Sequence, residues 1–262
     1  MNYDEEKRSL AKWFVMLEAL LLVVFTAFDL LNIFSLAADG LKLACIVLCF
    51  LFSITLIFSM EADLDRLALM LSFFFAVVAD TLLLFTDQFF FGVLAFCVVQ
   101  EFQSIRIFSV RRSVVRMDGR IFSSYRSYKV RNKVLFLNLI QLLFAAVPVA
   151  VSFFVEVPHV RLISVCVFYL VGFIGNLIPL ASLSRDVRLL DDMRPLKVYF
   201  AGMLLYFMCD VLLGLFRMPE FLPVLPQLSR FVSYAMLVIW PLYLAGMVCI
   251  CLSGIRKQKF YS

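Results

Sequence analysis

The chain has 262 residues, 64% of them hydrophobic, with a mean hydropathy of +0.99. A soluble domain carries about 45–50% apolar residues, so a soluble fold is excluded and the sequence predicts an all-α, polytopic membrane protein. The net charge of +5 is no nucleic-acid signal in this setting; its placement along the chain bears on topology.

A membrane span takes about 20 apolar residues. In chain order the sequence predicts eight: Trp13–Leu36, Leu41–Met60, Leu67–Thr86, Phe89–Val110, Val134–Val155, Val160–Leu183, Val198–Phe216 and Phe231–Ser253. The start, Met1 to Lys12, is charged, and the apolar run after it is too long for a signal-peptide core, so it reads as the first span. The links are short except the basic one from Arg111 to Lys133.

Of the 24 lysines and arginines, all but Lys42, Arg161, Arg217 and Arg230 fall on one side when the N-terminus is placed in the cytosol. The positive-inside rule then predicts cytosolic termini and an even number of spans. The basic linker divides the chain into residues 1–110 and 134–262, four spans each, around the linker at 111–133. Both halves enter from the same side, which makes them parallel repeats about an axis along the membrane normal. The linker's basic residues either bind anionic lipid headgroups or serve topology alone.

Two aspartates stand out against the apolar background. Asp80 opens Asp80-Thr81-Leu82-Leu83-Leu84-Phe85, and Asp210 opens Asp210-Val211-Leu212-Leu213-Gly214-Leu215-Phe216. A carboxylate at the centre of a lipid-buried helix costs roughly 2.5–3.5 kcal/mol on insertion scales. Asp80 follows Arg66, and Asp210 follows Lys197, by nearly the same interval, about 20 Å of helix. Equal depth in parallel repeats predicts a facing pair. Asp87 and Arg217 repeat the same offset two turns further out, either as a pair at the mouth or as ordinary interfacial charges.

Other polar residues fall at interior depth. Tyr199, Tyr206 and Asp210 share one face of the seventh span. Gln100 and Gln103 flank Glu101 on the fourth, Asn138 and Gln141 lie one turn apart on the fifth, and Tyr169 and Asn176 two turns apart on the sixth. Singly, each could be helix–helix glue; together with two aspartates they predict a polar cavity. Glu18, Asp29 and Glu156 read as residues reaching the interface. Pro148, Pro179 and Pro241 either kink their spans or free carbonyls toward a cavity. The seven cysteines (Cys45, Cys49, Cys97, Cys166, Cys209, Cys249, Cys251) lie in apolar runs without paired C-x-x-C spacing, and His159 is the one histidine. They read as small packing residues, and no metal or cofactor is expected.

The stretch Leu71 to Phe102 resembles the signature of the lysoplasmalogenase (YhhN-like) family of membrane enzymes. The resemblance runs through Ala79-Asp80-Thr81-Leu82-Leu83-Leu84, then Phe90, Gly92, Ala95-Phe96 and Gln100. A second motif of that family is similar to Gly202-Met203-Leu204-Leu205-Tyr206-Phe207-Met208-Cys209-Asp210. Lys42 resembles the family's lysine at the start of the second span, and Trp240-Pro241-Leu242-Tyr243 its closing span. Two positions depart: Ala79 stands for the usual glycine, and Gln100 stands where many members have histidine, leaving it hydrogen bonding alone.

The resemblance implies hydrolysis of the vinyl ether bond of a lysophospholipid, the lysoplasmalogen, to a fatty aldehyde and a glycerophospho-base. Two carboxyl groups suit that chemistry: one protonates the alkene carbon distal to oxygen, and the other stabilises the oxocarbenium ion and activates water, much as paired acids serve glycosidases. Asp80 and Asp210 are the expected catalytic pair. Tyr206, Asn176, Gln100, Tyr169 and Lys42 are expected to orient substrate or water. The membrane expected is a bacterial cell membrane, with a eukaryotic internal membrane as the alternative. Two rival readings stand: a carrier or lipid-binding protein using the aspartates as a proton relay, and a scaffold whose aspartates fix helix register.

Overall fold

Hydrocarbon offers backbone N–H and C=O groups no partner, so an apolar chain satisfies them within itself as helix. The computed structural model describes residues 3–31, 33–59, 63–86, 88–117, 130–154, 159–186, 194–221 and 229–255. Among these residues there are eight helices and no strand: α1 (Tyr3–Leu31), α2 (Ser35–Ser59), α3 (Leu64–Phe85), α4 (Phe89–Met117), α5 (Val130–Ser152), α6 (Val160–Asp186), α7 (Arg194–Phe221) and α8 (Ser229–Leu252). Seven of them, α1 to α7, carry stretches long and apolar enough to cross a membrane; the apolar part found in α8, Leu237–Leu252, is shorter. The chain is therefore a multi-pass integral membrane protein. Asp87, Glu156 and the linker residues 118–129 lie outside the described residues.

Local chemistry sets the breaks. Sequence reading carried the first span through to Leu36, but the helix ends at Leu31. Ile33 N closes it by donating to Phe28 O at 3.2 Å, and Phe34 then turns into the left-handed region at φ 53°. The next helix starts at Ser35, six residues ahead of the predicted Leu41, because Asp39 is held inside it by Lys42 one turn on, at 3.0 Å. Asp39-Gly40 thus looks like a turn and folds as helix. Asp63 caps α3, its carboxylate accepting from Arg66 N at 2.8 Å. Thr86 ends α3 with an extended backbone, and its hydroxyl accepts from Gln88 N at 3.2 Å, shaping the turn into α4.

By contact the chain groups into two units. The first comprises Met1–Phe52 and Leu196–Ser253; the second comprises Ser53–Pro195 and Gly254–Ser262. A repeat concerns equivalent positions and a unit concerns contact, so this division is separate from the four-plus-four reading.

In the first unit, Phe14 of α1 stacks on Phe52 of α2 at 4.3 Å, and Phe25 meets the Trp240 edge at 6.3 Å. Helices α7 and α8 touch backbone to backbone. A Cβ on Gly202 would lie 2.8 Å from Gly246 O, and one on Gly246 would lie 2.9 Å from Gly202 O. In a membrane, where hydrophobic burial does not drive helices together, such small-residue contacts supply the packing.

In the second unit, α3 and α4 form an antiparallel hairpin. Residues roughly equidistant from the turn meet, as Phe75 stacks on Phe102 at 5.8 Å and Gln103 Nε2 donates to Ser72 Oγ at 3.0 Å. Helix α6 runs parallel to α4, with Tyr169 against Phe96 at 6.3 Å and Asn176 against Ser104 at 2.7 Å. Helix α5 is antiparallel to α6, Leu137 filling the space over Gly175 and Gln141 that over Gly172.

The two close-packed glycines should tolerate nothing larger. Gly246→Ala is expected to lower stability by about 1–3 kcal/mol through overpacking. Gly214→Ala, with no neighbouring atom within 4 Å of the added carbon, should leave it unchanged or slightly raised. Thermal unfolding of the two purified variants in detergent checks the contrast.

Candidate functional site

Asp80 ends the buried stripe of α3. Leu69, Ser72, Phe73, Ala76, Ala79 and Asp80 recur at helical spacing and turn inward. Asp80 itself is 4% exposed. The alanines on this stripe let α4 come close: a Cβ on Gly92 would lie 2.6 Å from Leu83 Cδ2 and 3.5 Å from Ala79 O. Ala79 therefore keeps the small size this crossing needs.

Asp210 belongs to the first unit. It is half-buried and continues the α7 stripe of Tyr199, Met203, Tyr206 and Cys209, all buried. Tyr206 meets Tyr243 of α8 at 5.5 Å between ring centroids, and Tyr243 meets Trp240 at the same separation. Asp210, Tyr206 and Lys42 thus belong to the first unit, and Asp80, Gln100, Tyr169 and Asn176 to the second.

Within the second unit, Gln100 and Asn176 come together. Asn176 Nδ2 donates to Gln100 O at 3.0 Å and to Gln100 Oε1 at 3.1 Å, while Ser104 Oγ donates to Asn176 Oδ1 at 2.7 Å. Both residues are fully enclosed. Their amides bind one another, which is the role of register-setting glue and leaves the Asn176 side chain no spare donor for substrate. Tyr169 is half-buried, packed on Phe96 and on Phe173, the latter at 5.8 Å.

Lys42 is held as tightly. Its ammonium lies 3.1 Å from Asp29 Oδ1 and 3.0 Å from Asp39 Oδ1, with the Trp240 ring centroid 5.4 Å away. Two carboxylates and an aromatic face surround one cation, so its first task is to tie α1, α2 and α8 together. Asp29, read from sequence as an interfacial charge, is half of that tie.

Glu18 corrects a similar expectation. It does not reach the interface; it is 2% exposed and accepts from Cys49 Sγ at 3.5 Å, while Cys251 Sγ contacts Cys49 O at 3.3 Å. The cause is helical phase: Phe14, Glu18 and Phe25 form the inward stripe of α1, and most of the helix around them is exposed or half-exposed.

Sequence reasoning missed an ion pair in the second unit. Arg106 Nε lies 2.9 Å from Asp65 Oδ1, and the Arg106 side chain has no exposed surface. Counted by charge alone, Arg106 falls among the basic residues of the cytosolic side. The available signal was register, since Asp65 and Arg106 are about equally far from the α3–α4 turn.

Comparison of the chain with protein-family models, with curated proteins and with solved structures returns no match.

A buried charge that loses its partner is expensive, about 3–5 kcal/mol. Asp65→Ala should therefore lower stability by about 3 kcal/mol, and the further change Arg106→Met should restore much of it. Thermal unfolding of the single and double variants measures both steps.

Proposed function

We propose that the chain is an eight-span membrane hydrolase that cleaves the vinyl ether bond of lysoplasmalogens, with Asp80 and Asp210 as its paired acids. Both termini lie in the cytosol, the two halves are parallel repeats, and the membrane is a bacterial cell membrane. The observation that carries this reading is the burial of Asp80 on an apolar helix. An acid in that position is costly, and most intramembrane acids that persist mark a pathway or a reaction. Asp210 supports it, because each aspartate lies about four turns into its own apolar stretch, which starts at Leu64 in α3 and at Pro195 in α7. The motif resemblance around both residues supplies the reaction.

In that reaction the protonated carboxyl of one aspartate delivers its proton to the alkene carbon distal to the ether oxygen. The double bond's electrons form the new C–H bond and leave an oxocarbenium ion. The ionised partner balances its charge and takes a proton from water as the water oxygen bonds to the cationic carbon. The resulting hemiacetal collapses: its hydroxyl proton leaves, the carbon–ether bond breaks, and the glycerol oxygen departs with a proton. One water is consumed, and an aldehyde and a glycerophospho-base form.

A carrier is the second reading. The burial of Asp80 on an apolar helix supports it as well, since intramembrane acids also serve as proton relays in carriers.

Lysoplasmalogen offered to the purified protein should yield fatty aldehyde. Asp80→Asn and Asp210→Asn should each lower that rate by at least about 100-fold, the usual contribution of a general acid or base, with unchanged size-exclusion profiles. No aldehyde from the wild type, or full activity in either variant, would count against the scheme; substrate moved unchanged across a vesicle would favour the carrier.

A further inference from the structure

Opposite the Asn176 cluster, α4 turns another polar residue, Glu101, toward α5. The Asn138 and Gln141 side chains face its carboxyl closely enough to act on it. Even so, Glu101 Oε1, Asn138 Oδ1 and both polar atoms of Gln141 are buried without a hydrogen-bond partner. Gln100 Nε2, beside them on α4, is in the same position. Gln141 is only 1% exposed. The Glu101 carboxyl is the polar group these amides approach, yet the Gln141 amide closes no full hydrogen bond with it, a state that is rare for a buried amide.

The space around Gln141 is built into the fold. A Cβ on Gly172 would collide with Gln141 Nε2, so the glycine of α6 reserves the volume the amide occupies. Helix α5 is exposed over most of its surface, and its inward stripe is Leu137, Asn138 and Gln141. The one packed face of this helix thus carries two amides toward a carboxyl. All of this lies near the middle of the apolar stretches Phe89–Val110, Arg131–Ser152 and Val160–Ser184.

The unpartnered oxygens are a carboxylate and two amide carbonyls, the donor set that suits hard cations rather than soft metals. Charge selects among those. One carboxylate with neutral amides balances a single positive charge, whereas a divalent ion would leave a net charge in an apolar interior. The charged side chains described on the packed elements are Asp65, Arg66 and Asp80 on α3, Arg131 and Lys133 on α5, and Arg161 on α6; on α4 itself Arg106 is bound by Asp65. Cys97 and Cys166 are the neighbouring thiols. No ion pair joins any of the cations to Glu101 among the described residues.

We propose that Glu101, Asn138 and Gln141 bind a small monovalent metal cation of the sodium class, within the second unit and independently of the proposed hydrolysis. The cation meets the three oxygens, and Gln141 Nε2 donates to a water or to the free edge of the carboxylate.

The test is thermal unfolding of the purified full chain in detergent, at equal ionic strength, in sodium, lithium, potassium or choline chloride. Sodium or lithium should raise the midpoint by several degrees over choline in a saturable way. Glu101→Gln should abolish that increment, and Asn138→Leu and Gln141→Met, which keep the carboxylate, should each raise the half-saturating sodium concentration at least tenfold. If Glu101→Gln does not fold, the two amide variants decide alone. The proposal is overturned if sodium and choline give the same midpoint in the wild type, which is the result for a cluster filled with water only. It is equally overturned if the sodium increment survives in the amide variants with unchanged half-saturation.

Discussion

The hydrogen bonds from Asn176 to Gln100, and from Ser104 to Asn176, fix where α6 stands along α4. In water they would be ordinary bonds. In an apolar interior the alternative is an amide with no partner at all, so one register is strongly preferred. Once that register is set, Tyr169 meets Phe96, and Gly172 receives the Gln141 amide from α5. The Glu101 carboxyl then finds two amides before it. The second unit is organised from this bond outward, with apolar side chains filling what the polar contacts have positioned.

The first unit solves the same problem with charge. Lys42 between Asp29 and Asp39, against Trp240, ties three helices at one place. Glu18 and Cys49 make a weaker contact between α1 and α2. In both units polar side chains such as Glu18, Lys42, Gln100 and Asn176 are buried, while large apolar ones such as Leu31, Phe58, Phe144 and Val147 lie exposed.

Helices were legible in the sequence because their signal is composition over some 20 residues, which needs no partner. Their ends were less so. The charged first turns of α1 and the last turns of α4 extend beyond the apolar windows, and an apolar count does not see them. The link expected between Leu36 and Leu41 folds as helix instead, with Asp39 held by Lys42. Burial of Tyr206 followed from helical phase, and that of Asp80 from its depth in an apolar span. Pairings did not: that Asn176 binds Gln100, or Asp65 binds Arg106, depends on how far each helix slides along its neighbour. Single-chain periodicity carries no such information across helices. Glu18 was misread for a related reason, since a lone acid near a span end looks the same whether its stripe faces the lipid or the core.

The backbone contact of Gly202 with Gly246 has a mechanical corollary. Where side chains separate two helices, rotamer changes let one slip past the other; where peptide groups abut, there is nothing to give. Helices α7 and α8 then shift as one stiff strut, and Asp210 keeps a constant offset from Trp240 and Tyr243. The carboxyl on one helix and the two aromatic rings on the other therefore hold preset heights, so the pair behaves as a ruler rather than a hinge.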